Sequence, residues 1–263
     1  MKRHVVITAI IWAILTAVGE VGSFANLYPT VGSKEAEDFD NIFKLLLYMG
    51  IPVFTFVISV LIYVMLEFRT RGAGAPDSDG PPYKGTGMVP KVWLLVTGVL
   101  TLVVMINPGL TGLAKLQDNG AMKQYGWGDL QAELTIHVTG QQFSWGYDYL
   151  DDAGATIVSI PPLPTNEIVI PVDTKVKFEI NALDVLHSFW IPAFRMKIDT
   201  VPGRTTFITV QPNVLGDYEN DIAYRVQCAE LCGLNHADMR TRVRVVSQAD
   251  YLKWVQEHKA GGK

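Results

Sequence analysis

The sequence predicts a membrane-anchored protein in two parts: apolar helices at the N-terminal end, then an all-β Greek-key sandwich or barrel closed by a helix. Three observations carry this. Of the 263 residues, 49% are hydrophobic, and the mean hydropathy of +0.20 is high for a soluble domain. Residues 45–66 and 92–114 contain no charged side chain, and each run can cross about 30 Å of hydrocarbon at about 1.5 Å per residue. Beyond residue 116 the hydrophobic period changes from helical to alternating.

The anchor is read as residues 1–116, with spans at about 42–66 and 92–114 and a third at about 5–25. Pro52 and Pro108 fall near the ends of their runs, where a freed carbonyl is easier to satisfy. The third run follows Lys2 and Arg3, a start that also describes a secretory leader; a retained helix is the favoured reading. Glu20 would then lie toward the far interface, with a buried proton-handling role as the second reading. Lys2, Arg3, Arg69, Arg71, Lys84 and Lys91 flank the spans on one side, whereas the loop over 26–41 sets Lys34 against Glu35, Glu37, Asp38 and Asp40. The basic side marks the cytoplasm, so the N-terminus is inside and residues 117–263 are outside. Residues 73–87 are rich in glycine and proline and read as a flexible loop. An uncleaved basic start and this topology suit a bacterial plasma membrane better than an organelle.

From Lys115 onward, 14 basic residues face 18 acidic ones, so nucleic acid is excluded as a partner and a basic soluble protein fits better. Alternating stretches begin at Glu133, Asn166, Lys175, Thr205, Tyr224 and Arg240, punctuated by "PPLP" and "VPGR". Short strands at this spacing suggest a Greek-key sandwich or barrel. "SQADYLKWVQEHK" closes the outer part as a helix capped by Ser247, with Tyr251, Leu252, Trp254 and Val255 on its apolar face.

Both cysteines of the chain fall in "QCAELCGLNHADM", where Cys228, Cys232, His236 and Met239 are spaced four, four and three apart. Thiolate, imidazole and a weak thioether are the soft donors of copper electron-transfer sites. His187, in "DVLHSFWIP", is the candidate for a further imidazole. Two plainer readings compete. A disulfide is the default outside the membrane, but it would leave the histidine and methionine unexplained. Zinc accepts cysteine and histidine, whereas thioether favours copper. His4, His137 and His258 have no cysteine or methionine at ligand spacing and read as structural or surface residues.

A mononuclear copper site needs one thiolate, and a second one four residues on suggests sulfurs shared by two metals. "CAELCGLNHADM" and "DVLHSFWIPAFRMKIDTVPGR" resemble the two copper-A segments of the cytochrome c oxidase subunit II family, in that family's order. The resemblance implies a cupredoxin-like outer domain in which Cys228 and Cys232 bridge two copper ions. It implies that His187 and Met239 complete one side and His236 the other, with the backbone carbonyl of Glu230 on copper. The Glu230 side chain would reach magnesium at the contact with the catalytic subunit. The implied partners are a large haem-bearing subunit I, other oxidase subunits, membrane lipid, and a c-type cytochrome or membrane-bound donor complex.

The chain departs from the family in places. Where the family has G-H-Q-W-x-W-x-Y, this sequence reads "GQQFSWGYDY", so Phe143 replaces the tryptophan that receives electrons and Gln141 replaces the histidine. Phe143 and Trp145 are the candidates for accepting electrons, and the donor is left open. "GTGMVPKVWLL" lacks the glutamate that the family associates with proton uptake. No C-x-x-C-H follows the sandwich, so the donor haem is expected on another chain. The leading expectation is therefore a copper-A electron-transfer subunit of an oxygen-reducing, proton-pumping oxidase, with no catalysis by this chain alone. The alternatives are the same subunit of a haem-copper nitric oxide reductase and a membrane-anchored copper carrier.

Overall fold

The computed structural model describes residues 2–25, 28–69, 85–118 and 132–259. Of the glycine-rich loop expected over 73–87, only 85–87 lie within them.

Among the described residues, three helices are long and apolar enough to cross a membrane. Helix α1 spans Lys2–Ser23 and α2 spans Lys34–Glu67. Their large apolar side chains are mostly exposed, as lipid-facing surfaces require. The two helices share a coherent antiparallel register: His4 Nδ1 lies 2.6 Å from the Tyr63 hydroxyl, Trp12 Nε1 donates to the Pro52 carbonyl at 2.8 Å, and the Thr16 and Thr55 hydroxyls meet at 2.7 Å. Because α2 begins at Lys34, Pro52 falls near its middle rather than near an end. The Thr55 hydroxyl bonds back to the carbonyls of Ile51 and Pro52 at 2.8 and 3.2 Å, the i−4 and i−3 pattern of a threonine inside a helix. Glu20 is half-buried in the last turn of α1, where its carbonyl accepts the Ser23 hydroxyl at 2.7 Å. Helix α3, Met88–Val104, runs into a π-type turn over Met105–Leu110 and then α4, Thr111–Asp118. Asn107 is extended there, φ −137° and ψ 113°, the conformation forced on a residue before proline.

The outer part is a β-sandwich. One sheet has the order β3-β2-β1-β5-β8, formed by β1 (Leu134–Gln141), β2 (Ser144–Leu150), β3 (Thr156–Ile160), β5 (Val176–Ala182) and β8 (Thr206–Val210). The other has the order β4-β11-β10-β6-β7, with β9 on β11. Its strands are β4 (Glu167–Pro171), β6 (His187–Ile191), β7 (Met196–Thr200), β9 (Gly216–Asp217), β10 (Arg225–Cys228) and β11 (Arg240–Val246). β1, β5 and β11 alternate buried and accessible residues, the period of a strand with one face in a core. Ile136, Val138, Phe178 and Ile180 fill the space between the sheets with Ile168, Ile170, Phe189 and Ile191. Tyr149 crosses it, its hydroxyl bonding both the N–H and the C=O of Val169. The six alternating strands read from the sequence are present; β2, β3, β6, β7 and β9 lack the alternation that would reveal them.

Helix α5, Gln248–His258, opens on Ser247, whose hydroxyl accepts the Asp250 N–H at 3.2 Å. Tyr251, Trp254 and Val255 are buried as expected, but Leu252 is 53% exposed; it follows Tyr251 directly and so points away from that stripe.

Residues 28–40 pack with the sandwich. Gly32 N–H donates to the Ala193 carbonyl at 2.9 Å and Lys34 N–H to the Gln211 carbonyl at 3.1 Å. Arg195 pairs with Asp40 through Nε and Nη2, both at 2.9 Å. Its other N–H groups reach the carbonyls of Pro29, Thr30 and Pro192, so all five guanidinium donors are used.

Candidate metal centre

The donors come from two neighbouring strands. His187 opens β6 and Cys228 ends β10, and these strands pair antiparallel with Cys228 opposite Phe189. The loop from β10 back to β11 carries Cys232, His236 and Met239. Its neck is closed by Cys228 N–H on the Met239 carbonyl at 3.0 Å, and Ala229 N–H ties it to the Ser188 carbonyl at 3.0 Å. A short 3-10 turn over His236–Asp238 directs His236 inward.

The side chains converge. Cys228 Sγ lies 3.8 Å from Cys232 Sγ, 3.8 Å from His187 Nδ1 and 3.2 Å from the Glu230 carbonyl. Cys232 Sγ lies 3.6 Å from His236 Nδ1 and 3.7 Å from Met239 Sδ. His187, Cys228, Cys232 and Met239 are buried, while the Glu230 side chain is exposed. All the expected ligands are therefore brought together, and the Glu230 carbonyl and carboxylate face different environments. The cysteines are free, and their separation is far beyond the roughly 2.05 Å of a disulfide. These contacts group the terminal donors by cysteine, whereas the expected allocation groups them by metal; a sulfur shared by both metals does not assign its neighbours to either.

Asp184, three residues before His187, takes part without having been singled out in the sequence. Its Oδ1 accepts from His187 Nε2 at 2.9 Å, which leaves the Nδ1 lone pair toward the sulfurs, the carboxylate–histidine arrangement of metal sites. Burial pushes the Asp184 carboxyl up, but hydrogen bonds from His187 and from the N–H groups of Gln142 and Val185 outweigh it, so the group titrates below the usual range. Burial and the neighbouring Cys228 sulfur push the Cys232 thiol up from 9.0 to about 12. Without a cation the Cys232 thiol holds its proton. Buried soft donors with only weak sulfur contacts among themselves fit a thiophilic metal that would replace that proton.

Of the two aromatic candidates, Phe143 is partly exposed and lies over Gly233 of the loop. Trp145 is fully buried, its ring centroid 5.9 Å from His187 and 5.4 Å from Phe189. A soluble donor can reach only the first. His258 stacks on Trp254 at 4.9 Å, and His4 bonds Tyr63.

Residues 162–246 match the family model described as cytochrome c oxidase subunit II, periplasmic domain. The chain is 30% identical over 220 residues to cytochrome c oxidase subunit 2 of Alkalihalophilus pseudofirmus, covering 83% of this chain and 57% of that one. It is 28% identical over 287 residues to the protein of the same name from Synechocystis, covering 95% and 81%. The crystal structure of the periplasmic domain of cytochrome oxidase subunit II from Bradyrhizobium japonicum is 33% identical, covering 49% of this chain and 94% of that one, with a TM-score of 0.41. The chain belongs to the cytochrome c oxidase subunit II family. It spans a little over half the length of the first of these relatives. The fold expected of the family, apolar N-terminal helices followed by a cupredoxin-like sandwich and a terminal helix, is the one observed. The side chains that converge here are those of the two segments that carry the resemblance.

Proposed function

We propose that this chain is the electron-transfer subunit of a haem-copper terminal oxidase, accepting single electrons outside the membrane and passing them to haem in a large catalytic subunit. The donor would be a c-type cytochrome or a membrane-bound complex, and oxygen reduction in the assembly would be coupled to proton pumping. The observation that carries this reading is the convergence of two thiols, two imidazoles, a thioether and a carbonyl in one largely buried cluster. Cys228 and Cys232 would bridge two copper ions, with His187, His236, Met239 and the Glu230 carbonyl as terminal ligands. Bound there, two copper ions would share one electron, so that bond lengths change little between oxidation states. Asp184 would hold the His187 ring, the buried sandwich would keep water from the sulfurs, and the exposed Glu230 carboxylate would be free for magnesium at the catalytic subunit.

The copper domain would face outward from a bacterial plasma membrane with the N-terminus inside. The α1–α2 register supports α1 as a permanent helix rather than a removed leader. The relatives named cytochrome c oxidase subunit 2 favour the oxidase over the nitric oxide reductase and copper-carrier readings. Gas uptake by the purified membrane complex, driven by reduced c-type cytochrome or by quinol, tests the proposal. Oxygen consumption that disappears in Cys228→Ser, with partner haem content unchanged, is expected. Consumption of nitric oxide alone, or turnover unaffected by the substitution, would overturn it.

A further inference from the structure

We propose that Gln142 is a positioning residue of this metal centre, linking its two ligand-bearing segments independently of any metal; the inference rests on the copper reading above. Gln142 lies at the tip between β1 and β2, far in sequence from every ligand. Its backbone N–H donates to Asp184 Oδ2 at 2.7 Å, while Asp184 Oδ1 accepts from His187 Nε2 at 2.9 Å. Its side-chain amide donates to the Cys232 carbonyl at 2.5 Å. One residue thus joins the His187 segment to the cysteine loop.

The surrounding shape is built for this link. Gly233, next to Cys232, has φ +132°, in the region that favours glycine. A Cβ there would come within 2.8 Å of Gln142 Nε2 and 3.2 Å of the Phe143 ring. The tip therefore sits directly on the loop backbone. The chemistry at position 142 is also selective. It needs a neutral donor for a carbonyl, next to the Asp184 carboxylate; a carboxylate at 142 would be repelled by both, and an apolar side chain would leave the Cys232 carbonyl without this partner. Gln142 would hold both segments in the ligating arrangement before metal arrives and fix the Cys232 sulfur once it has bound.

The test uses the full chain in detergent, with Gln142→Met, which keeps length and bulk without the donor, beside Gln142→Glu. After copper loading, both variants are expected to release copper to a chelator with about 10–100-fold weaker apparent affinity, with an altered hyperfine pattern and a shifted reduction potential, while unfolding remains cooperative. Affinity, spectrum and potential equal to wild type would overturn the proposal. If Gln142→Met does not load, amide exchange of the metal-free chain decides: faster exchange confined to residues 183–187 and 229–239 supports the link, and unchanged or uniformly faster exchange overturns it. Failure of the wild type to bind two coppers would instead refute the copper reading, and the metal-free exchange would still judge Gln142.

Discussion

The copper loop and the Asp40–Arg195 pair are both buried polar constellations in the β unit, but they are satisfied in opposite ways. Arg195 spends all five donors on two carboxylate oxygens and three carbonyls, and the pair is almost without exposure, with side chains 9% and 7% accessible. It is closed upon itself and can only hold residues 28–40 to the sandwich. The pocket at Cys228 and Cys232 holds soft donors 3.6 to 3.8 Å apart, too far for bonds and poorly matched as hydrogen bonds. The difference teaches how to read buried polar groups: saturation marks a structural clamp, whereas convergent unsaturated donors mark a ligand site.

The comparison breaks most severely at a bridging sulfur. Cys232→Ser is expected to abolish paired copper binding entirely while the sandwich still unfolds cooperatively, as followed by metal analysis and circular dichroism. Arg195→Leu should do the reverse. It strands Asp40 and is expected to cost about 3–5 kcal/mol in denaturant unfolding of the β unit, with copper stoichiometry preserved. Gly233→Ala lies between the two classes, because it strains the loop backbone and pushes on Gln142 and Phe143; a loss of about 1–3 kcal/mol in thermal unfolding should accompany weaker copper retention.

The last test is that of pH. The folded, metal-free Cys232 thiol keeps its proton up to about 12 while the unfolded thiol titrates at 9.0. The native state thus holds a proton that the unfolded chain releases, and this contribution to stability is full below pH 9 and is lost as pH rises through about 12. Copper must displace that proton, so affinity measured by competition from pH 6 to 8 should strengthen by about tenfold per pH unit for each proton released. A pH-independent affinity would mean that the sulfur is not a ligand.

What the sequence reveals follows from distance along the chain. Cys228, Glu230, Cys232, His236 and Met239 lie within one short segment, so their chemistry is legible in order, and the alternation of β1, β5 and β11 exposes the sandwich. The start of α2 is hidden because its first turns carry Lys34, Glu35, Glu37, Asp38 and Asp40, which end a hydropathy window but not a helix. The supporting contacts are hidden for a different reason. Gln142 meets Asp184 across 42 residues and Cys232 across 90, and Arg195 meets Asp40 across 155; only the fold brings them together. Trp145 stands in a recognisable aromatic motif, but its full burial behind His187 is set by pairing between β1 and β2.

The most direct measurement is the copper content and electron paramagnetic resonance spectrum of the reconstituted full chain. Two coppers per chain and a mixed-valence signal with hyperfine splitting from two equivalent nuclei are the expected result. One copper per chain with a single-nucleus spectrum, or a signal unchanged in Cys228→Ser, would contradict the bridged centre.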